Sequence, residues 1–133
     1  MGKKSSASAS KWLTIHEFED LEQCYQQVRK KYEKILTTHL GTESKSIHKV
    51  DFTESVALVF GNEQDGVSPE ALELSDGNFI IPQYGLIQSL NISVACAVTL
   101  YEALRQRSVA GMYTESQLTE EEQQLMFDDW KER

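Results

Sequence analysis

The chain has 133 residues, of which 40% are hydrophobic and 26% are charged, and its net charge at pH 7 is −8. A chain of this length supports one hydrophobic core, so we expect a single domain. No apolar run approaches the roughly 20 residues of a membrane helix, and two cysteines do not make a disulfide framework. We therefore expect a cytoplasmic protein with reduced cysteines, neither inserted into a membrane nor secreted.

The negative net charge counts against nucleic-acid binding through the overall electrostatic field. Local positive charge is still available near the start of the chain, at Lys3, Lys4 and Lys11, and in a second cluster over residues 29–34. We interpret the second cluster as a solvated helix face that also complements the negative end of the helix dipole. Contact with a polyanion would therefore have to use a local cluster.

The first third of the chain predicts a helix followed by a strand. Residues 1–10 are small and polar without an apolar anchor, so we expect them to be disordered or the remnant of a removed element. Apolar residues at helical spacing predict a helix over residues 14–34, and the next apolar run predicts a strand over residues 35–39. Residues 41–45 are typical of a loop, and a brief extended piece is expected over residues 50–52.

Two strand–loop–helix units follow. The first has an apolar strand over residues 56–60, the glycine-bounded loop GNEQDG, and a helix with Ser68 as its cap and Pro69 in its first turn. The second has a strand over residues 78–81, a glycine-containing loop, and a helix that we expect Ser89 to cap. Apolar positions on that helix recur at intervals of three and four, which predicts one buried face made of Leu90, Val94, Ala97, Val98, Tyr101 and Leu104.

This order of elements predicts an α/β fold with a mainly parallel sheet. Three secure strands make a narrow sheet, and apolar parallel strands need cover, so the sheet is either incomplete or completed by a partner chain. The two loops leave the C-terminal ends of strands, which is where open α/β sheets bind ligands. An ordinary pair of crossover units without a ligand fits the same pattern.

Two stretches carry a resemblance to a known family. The second and third motifs of the SpoU/TrmH family, the 2′-O-ribose RNA methyltransferases of the knotted SPOUT class, are similar to LVFGNEQDGVSPEAL and IIPQYGLIQSLNISVACAVTLYEALRQR. The third motif is the specific one, and the residues that match its order and spacing are Gly85, Ser89, Leu90, Asn91 and Ser93. The tRNA (guanosine-2′-O) branch of the family also resembles this chain at LTTHL and at AGMY followed by LTEEEQQLMF. The match covers roughly residues 11–128.

The resemblance implies a SPOUT-like α/β knot, made by threading the chain end through the loop of the third motif. The family domain begins with further βα units, which carry a first motif consisting of an asparagine and then the catalytic arginine. No asparagine precedes Asn62 in this sequence, and the arginine upstream of the second motif is Arg29, within a predicted helix. We therefore expect the N-terminal βα units to be missing, and with them the first motif.

These observations suggest a division of the chain into three parts. Residues 1–10 would be a disordered or remnant segment, and residues 11–116 an incomplete SpoU/TrmH-like methyltransferase domain. Residues 117–133 would form a C-terminal tail helix, because Thr119 and Glu122 make a capping-box pattern at its start.

The resemblance also implies the functional residues. The cofactor would be S-adenosylmethionine, no metal is implied, and the residues placed against the cofactor are Thr38, Gly61, Ile81, Leu86 and Leu90. The polar active-site positions, which help to place the arginine and the ribose, are Glu63, Ser89 and Asn91. Without the resemblance, Glu63 is a solvated loop acid. Asn91 is less easily explained in that way, because asparagine is a poor helix former and is best accounted for by a local hydrogen bond or a ligand.

The implied partners are RNA, with tRNA favoured, and a second copy of the chain. The homodimer would be built around the helix over residues 90–104 and the tail. Two hypotheses stay open: an S-adenosylmethionine-dependent RNA 2′-O-ribose methyltransferase with tRNA guanosine as its target, and a non-catalytic SPOUT-like module that dimerises and binds cofactor. The intact second and third motifs favour the first, whereas the absent first-motif arginine favours the second.

Overall fold

The computed structural model describes residues 12–41, 43–62, 64–85 and 90–132, and within these ranges the chain forms a four-stranded sheet and four α-helices. The strands are β1 (Lys34–Thr38), β2 (Lys45–Ser46), β3 (Val56–Val59) and β4 (Gly77–Ile80). The helices are α1 (Leu21–Arg29), α2 (Pro69–Leu74), α3 (Ile92–Val109) and α4 (Glu120–Glu132), and a 3₁₀ turn occupies Ile47–Lys49. Among the described helices, none has the length and apolar character needed to cross a membrane.

The sheet has the strand order β2–β4–β1–β3, and each of these pairs is parallel. Strand β1 is central, with Leu36 opposite Leu58 on β3 and Thr37 opposite Asn78 on β4. The predicted α/β class with a mainly parallel sheet is therefore confirmed, and β1, β3 and β4 begin and end within one residue of the predicted bounds. Strand β2 was not predicted, because two residues are too few to show a periodic pattern.

Buried side chains lie on both faces of the sheet. On one face Tyr25, Ile35 and Ala71 join α1 and α2 to β1, and the Tyr25 hydroxyl donates a hydrogen bond to the Ala71 carbonyl oxygen at 3.0 Å. On the other face Phe52 packs edge to face on Phe79, with 6.3 Å between the ring centroids. Parallel strands need cover on both faces, and the chain supplies it from both sides.

Helix α1 is shorter than predicted. It begins at Leu21 because the side chain of Asp20 caps it, accepting a hydrogen bond from the Gln23 backbone N–H at 2.7 Å. It ends at Arg29, and the chain turns into β1 at Lys34. The predicted start at residue 14 is therefore wrong, since the apolar residues upstream of Asp20 lie outside the helix.

Helix α3 does not bury the apolar stripe that the sequence predicted. We define the α3 stripe as the exposed large apolar residues of that pattern, which are 38% to 74% exposed and comprise Leu90, Val94, Val98, Tyr101 and Leu104. Ala97 is also exposed, whereas Thr99 and Glu102 are buried. The prediction of a buried apolar face is therefore wrong within the single chain.

Polar side chains anchor α3 in place of the stripe. Gln106 accepts from the Phe52 backbone N–H at 2.9 Å and donates to the Val50 carbonyl oxygen at 3.0 Å. Arg107 donates to the carbonyl oxygens of Phe52 and Glu54 at 2.7 Å and 3.1 Å. These bonds satisfy backbone groups of a segment that is in no sheet, so the polar face must point inward.

The capping box that was predicted for the tail is confirmed. The Thr119 backbone N–H donates to Glu122 Oε2 at 2.8 Å, and the Glu122 backbone N–H donates to Thr119 Oγ1 at 3.2 Å. Trp130 on α4 contacts Trp12 with 5.4 Å between the ring centroids, so α4 lies against the segment that precedes α1. The division of the chain at residue 116 stays a prediction.

Candidate functional site

A cavity of about 470 Å³ opens at the C-terminal ends of β1, β3 and β4. Its walls come from residues 38–40 after β1, residues 60–62 with Gly66 after β3, residues 79–83 without Pro82 at the end of β4, and residues 90–92 with Ala95 at the start of α3. Three loops from parallel strands and one helix N-terminus therefore meet at one place. This is the position at which open α/β sheets bind ligands.

The loop after β3 is closed on itself. Asn62 and Gly66 exchange two backbone hydrogen bonds of 3.0 Å and 3.1 Å, and Asn62 Oδ1 accepts from the backbone N–H groups of Gln64 and Asp65 at 2.9 Å and 2.7 Å. Gly66 has φ = 70°, a left-handed conformation that favours glycine. These bonds fix the backbone of the described loop residues at the cavity wall, with Asp65 as a turn residue.

Gly61 allows this loop to fold back. A Cβ atom at residue 61 would lie 2.0 Å from the Gly66 carbonyl carbon and 2.3 Å from the Val67 nitrogen. Both are backbone atoms that cannot rotate away, so residue 61 has to be glycine for the loop to keep this shape. Because Gly61 has no side chain, its backbone is also open to the cavity.

The loop after β1 is held by hydrogen bonds to its neighbours. Thr38 Oγ1 donates to the Val59 carbonyl oxygen at 3.3 Å, and the His39 backbone N–H donates to the Phe79 carbonyl oxygen at 3.2 Å. Ser44 Oγ donates to the His39 carbonyl oxygen at 2.7 Å. The ends of the three strands are therefore linked directly at the floor of the cavity.

Helix α3 begins at the cavity. Asn91 is its N-cap, and Asn91 Oδ1 accepts from the Ser93 backbone N–H at 2.8 Å. The predicted cap at Ser89 is wrong, because Asn91 takes that role two residues later. The cap also supplies the local hydrogen bond that the sequence required of an asparagine at this place. The partly positive helix N-terminus faces the cavity through Asn91 and Ile92.

The cavity brings together five of the eight predicted site residues. These five line one wall or another of the same space and are Thr38, Gly61, Ile81, Leu90 and Asn91. The other three predicted residues, Glu63, Leu86 and Ser89, lie outside the described residues. Sequence reasoning missed His39, Asn62 and Gln83 as lining residues, although each is adjacent or close to a predicted one.

The lining fits a nucleoside better than an ion. Among the described lining residues His39 carries the one titratable side chain, and no group of three potential metal ligands occurs in the described part of the chain. Apolar side chains such as Phe60, Ile81 and Leu90 offer surface for a flat base, while backbone groups and amide side chains offer hydrogen bonds. The cavity volume lies within the range of about 300–1,000 Å³ that is usual for cofactor-sized ligands. S-adenosylmethionine therefore fits the residues that are present.

Comparison with known proteins defines the class to which the chain belongs. The sequence profile of the SpoU rRNA Methylase family matches residues 2–101. The chain is a member of this family.

The chain is also similar in sequence to individual named enzymes. It is 42% identical over 120 residues to the tRNA (guanosine(18)-2′-O)-methyltransferase of Aquifex aeolicus, covering 90% of this chain and 57% of that protein. It is 39% identical over 127 residues to the enzyme of the same name from Thermus thermophilus, covering 96% of this chain and 66% of the relative. The chain thus spans less than two thirds of the length of these relatives.

Solved structures of the family share the fold. The crystal structure of the A. aeolicus TrmH/SpoU tRNA modifying enzyme matches with a TM-score of 0.83 and 40% identity, covering 94% of this chain and 64% of that one. The SpoU methyltransferase AviRb from Streptomyces viridochromogenes, solved in complex with AdoMet, matches with a TM-score of 0.61 and 28% identity. That match covers 68% of this chain and 37% of AviRb.

Proposed function

We propose that this chain is the cofactor-binding part of an S-adenosylmethionine-dependent 2′-O-ribose methyltransferase that acts on tRNA guanosine. The observation that carries the proposal is the cavity at the sheet edge, where the loops of the second and third motifs meet. Two relatives named for methylation of tRNA guanosine support the substrate, and a family structure in complex with AdoMet supports the cofactor. A cytoplasmic location fits an enzyme of tRNA.

The cofactor would be held mainly by shape and backbone. Ile81 and Leu90 supply apolar surface for the adenine, Gly61 exposes backbone to the ligand, and Thr38 lies at the floor between two strand ends. We add Leu86 to this set on the strength of the third motif. Because the described lining has no acidic or basic side chain apart from His39, binding depends on these contacts more than on ion pairs.

Bound S-adenosylmethionine would supply an activated methyl group for direct displacement by the ribose 2′-oxygen. The protein then has to align that oxygen and help to remove its proton. We assign alignment to Asn91, at the N-terminus of α3, together with Glu63 and Ser89 from the two motif loops. The family gives proton removal to a first-motif arginine, which has no counterpart in these 133 residues.

We propose further that two copies of the chain form a homodimer through the α3 stripe. The stripe borders an apolar hollow of about 550 Å³ whose walls include Ile81, Pro82 and Val98. Contiguous exposed apolar surface on a small domain marks an interaction site. A two-fold axis beside α3 would bury the stripes of both copies against each other, which is the arrangement of an isologous interface.

The test of methyl transfer compares two proteins. One is the 133-residue chain, and the other is the same chain extended upstream by a first-motif segment. Each is incubated with S-adenosylmethionine carrying a tritiated methyl group and with bulk unmodified tRNA. We expect transfer by the extended chain and a rate lower by a factor of about 10² to 10⁴ for the shorter chain, since it has no residue in the place of the arginine.

The outcomes separate the two functions that the sequence left open. If both proteins fold and bind S-adenosylhomocysteine but neither transfers a methyl group, the chain is a non-catalytic module of the same fold. The observation that favours this second function is the missing first-motif arginine. Equal transfer by both proteins would contradict the role of that arginine and would assign proton removal to another group, with Glu63 the first to test.

A further inference from the structure

Tyr84 is an aromatic residue placed entirely in solvent beside the cavity. Its side chain is 100% exposed, the highest value among the large hydrophobic residues that the structure describes. It follows Gln83, which lines the cavity, so its backbone is adjacent to the lining, although the ring itself is not part of that lining. Within the described part of the chain Tyr84 makes no ring contact and no hydrogen bond that would explain a ring in that position.

The proposed reaction brings a flat partner to the cavity. A ribose whose 2′-oxygen meets the cofactor in the cavity carries its base on the adjacent carbon, so the base has to lie near the mouth. Proteins that recognise RNA commonly bind unstacked bases and hold them by stacking on aromatic side chains. An exposed tyrosine that directly follows a lining residue is suited to this contact.

The negative net charge of the chain independently favours a stacking contact with the base. With a net charge of −8, the molecule gains no affinity for a polyanion from its overall field. Stacking of a base on an aromatic ring does not depend on net charge, and alanine substitution of such rings is commonly costly. If the chain binds RNA, stacking contacts would therefore add affinity that its overall field does not supply, besides any contact made by a local basic cluster.

We propose that Tyr84 stacks on the base of the nucleotide whose ribose is methylated. This inference rests on the proposed function, because it takes RNA as the substrate of the cavity. It makes Tyr84 a substrate-binding residue with no role in holding the cofactor. The phenol oxygen is not required, so phenylalanine should serve equally well.

The test uses a tRNA transcript with 2-aminopurine at position 18, the position in the names of the two relatives. Its fluorescence, which falls when the base stacks on an aromatic ring, is titrated with the full chain in the presence of S-adenosylhomocysteine. We expect quenching with the wild-type chain and with Tyr84→Phe. Tyr84→Ala should lose the quenching and raise the Kd for the transcript roughly 5- to 150-fold. Tyr113→Ala, at an exposed tyrosine beyond the C-terminal end of α3, is the matched control and should behave as wild type.

Three results would overturn the inference. Unchanged quenching and Kd in Tyr84→Ala, with wild-type binding intact, would refute the stacking role and leave the proposed function standing. A Tyr84→Ala chain that sediments as a monomer where the wild type is a dimer would place the ring in a subunit interface instead. A wild-type chain that binds S-adenosylhomocysteine but not the transcript would remove the RNA substrate, and this inference with it.

Discussion

Gly61 shows how one residue sets the shape of the cavity. The loop after β3 folds back so closely that the carbonyl carbon of Gly66 occupies the space next to the Gly61 Cα. The backbone bonds between Asn62 and Gly66 require this close approach. Any side chain at residue 61 would therefore open the loop and move the cavity wall.

We expect Gly61→Ala to destabilise the fold by at least about 1–3 kcal/mol, the usual cost of overpacking, and to weaken cofactor binding. Urea unfolding and titration with S-adenosylhomocysteine measure the two effects. Gly77→Ala is the matched control, because a Cβ there would meet Leu36 Cδ2 at an ordinary 3.6 Å and Gly77 does not line the cavity. Equal stability and affinity in the two variants would refute the steric account of Gly61.

Glu102 is a buried acid, 8% exposed, that does not line the cavity. Arg105 donates two hydrogen bonds to its carboxylate at 2.7 Å and 2.9 Å, and Gln106 donates a third at 2.9 Å. These bonds, chiefly those from Arg105, lower the pKa of Glu102 from its ordinary 4.5 to about 2, against the opposing effect of burial.

This pKa predicts how stability changes with pH. A carboxyl whose pKa is lower in the folded state stabilises the fold above the unfolded pKa, and this stabilisation is lost as the pH falls through the folded pKa. We expect wild type to be more stable than Glu102→Gln at pH 7, and the difference to shrink between pH 4.5 and about 2. Urea unfolding of both proteins at several pH values between 7 and about 2 measures this difference in the free energy of unfolding. A difference that does not change with pH would show that Glu102 is not ionised in the folded state at neutral pH.

At the scale of elements, α3 has two faces with different tasks. Its polar face binds the segment between the 3₁₀ turn and β3 through Gln106 and Arg107. Its apolar stripe is exposed in the single chain. The helix thus links the cavity at its N-terminus to the core at its C-terminal half.

Gln106→Ala should destabilise the fold by about 1–3 kcal/mol, because the Phe52 backbone N–H would lose its partner. Hydrogen-exchange measurements should show that the Phe52 amide exchanges faster in Gln106→Ala than in wild type. Ser108→Ala, at an exposed position on the same helix, provides the comparison and should leave exchange unchanged. Protection of the Phe52 amide in Gln106→Ala would mean that another group holds this segment.

The sequence predicts these elements unequally, for physical reasons. Strands β1, β3 and β4 are apolar runs ended by turn residues, so their positions were predicted within one residue. Strand β2 is held by its neighbour β4 rather than by a pattern of its own. The start of α3 was predicted too early because serine and asparagine are both good N-caps, so the sequence does not distinguish Ser89 from Asn91. The hydrogen bond from the Ser93 backbone N–H to Asn91 Oδ1 identifies Asn91 as the cap.

The site shows the same contrast. The family resemblance predicted that Thr38, Gly61, Ile81, Leu90 and Asn91 belong to one site. All five line one cavity, and their roles in binding and catalysis stay predictions. The part played by His39 and Gln83 in its walls could not be predicted, since it depends on how the loops fold. The buried polar face of α3 could not be predicted either, because apolar spacing does not distinguish a core from a subunit interface.

At the scale of the whole molecule, the α3 stripe is exposed apolar surface, and the proposed dimer would bury it. We expect the wild-type chain to sediment as a dimer at about 20 μM, a concentration chosen to detect a stable interface. Val98→Asp, in the middle of the α3 stripe, should sediment as a monomer, because a charge would be buried without a partner. Val109→Asp, an exposed valine beyond the stripe, is the control and should stay dimeric. A monomeric wild-type chain at that concentration would contradict the proposed dimer.

The central claim is that the cavity at the C-terminal edge of the sheet binds the methyl-donor cofactor. Calorimetric titration of the folded 133-residue chain with S-adenosylhomocysteine tests it most directly. We predict saturable binding with one site per chain and a rise in Tm, both retained in Gly77→Ala and weakened in Gly61→Ala. A folded wild-type chain that gives neither heat nor a thermal shift would contradict the claim.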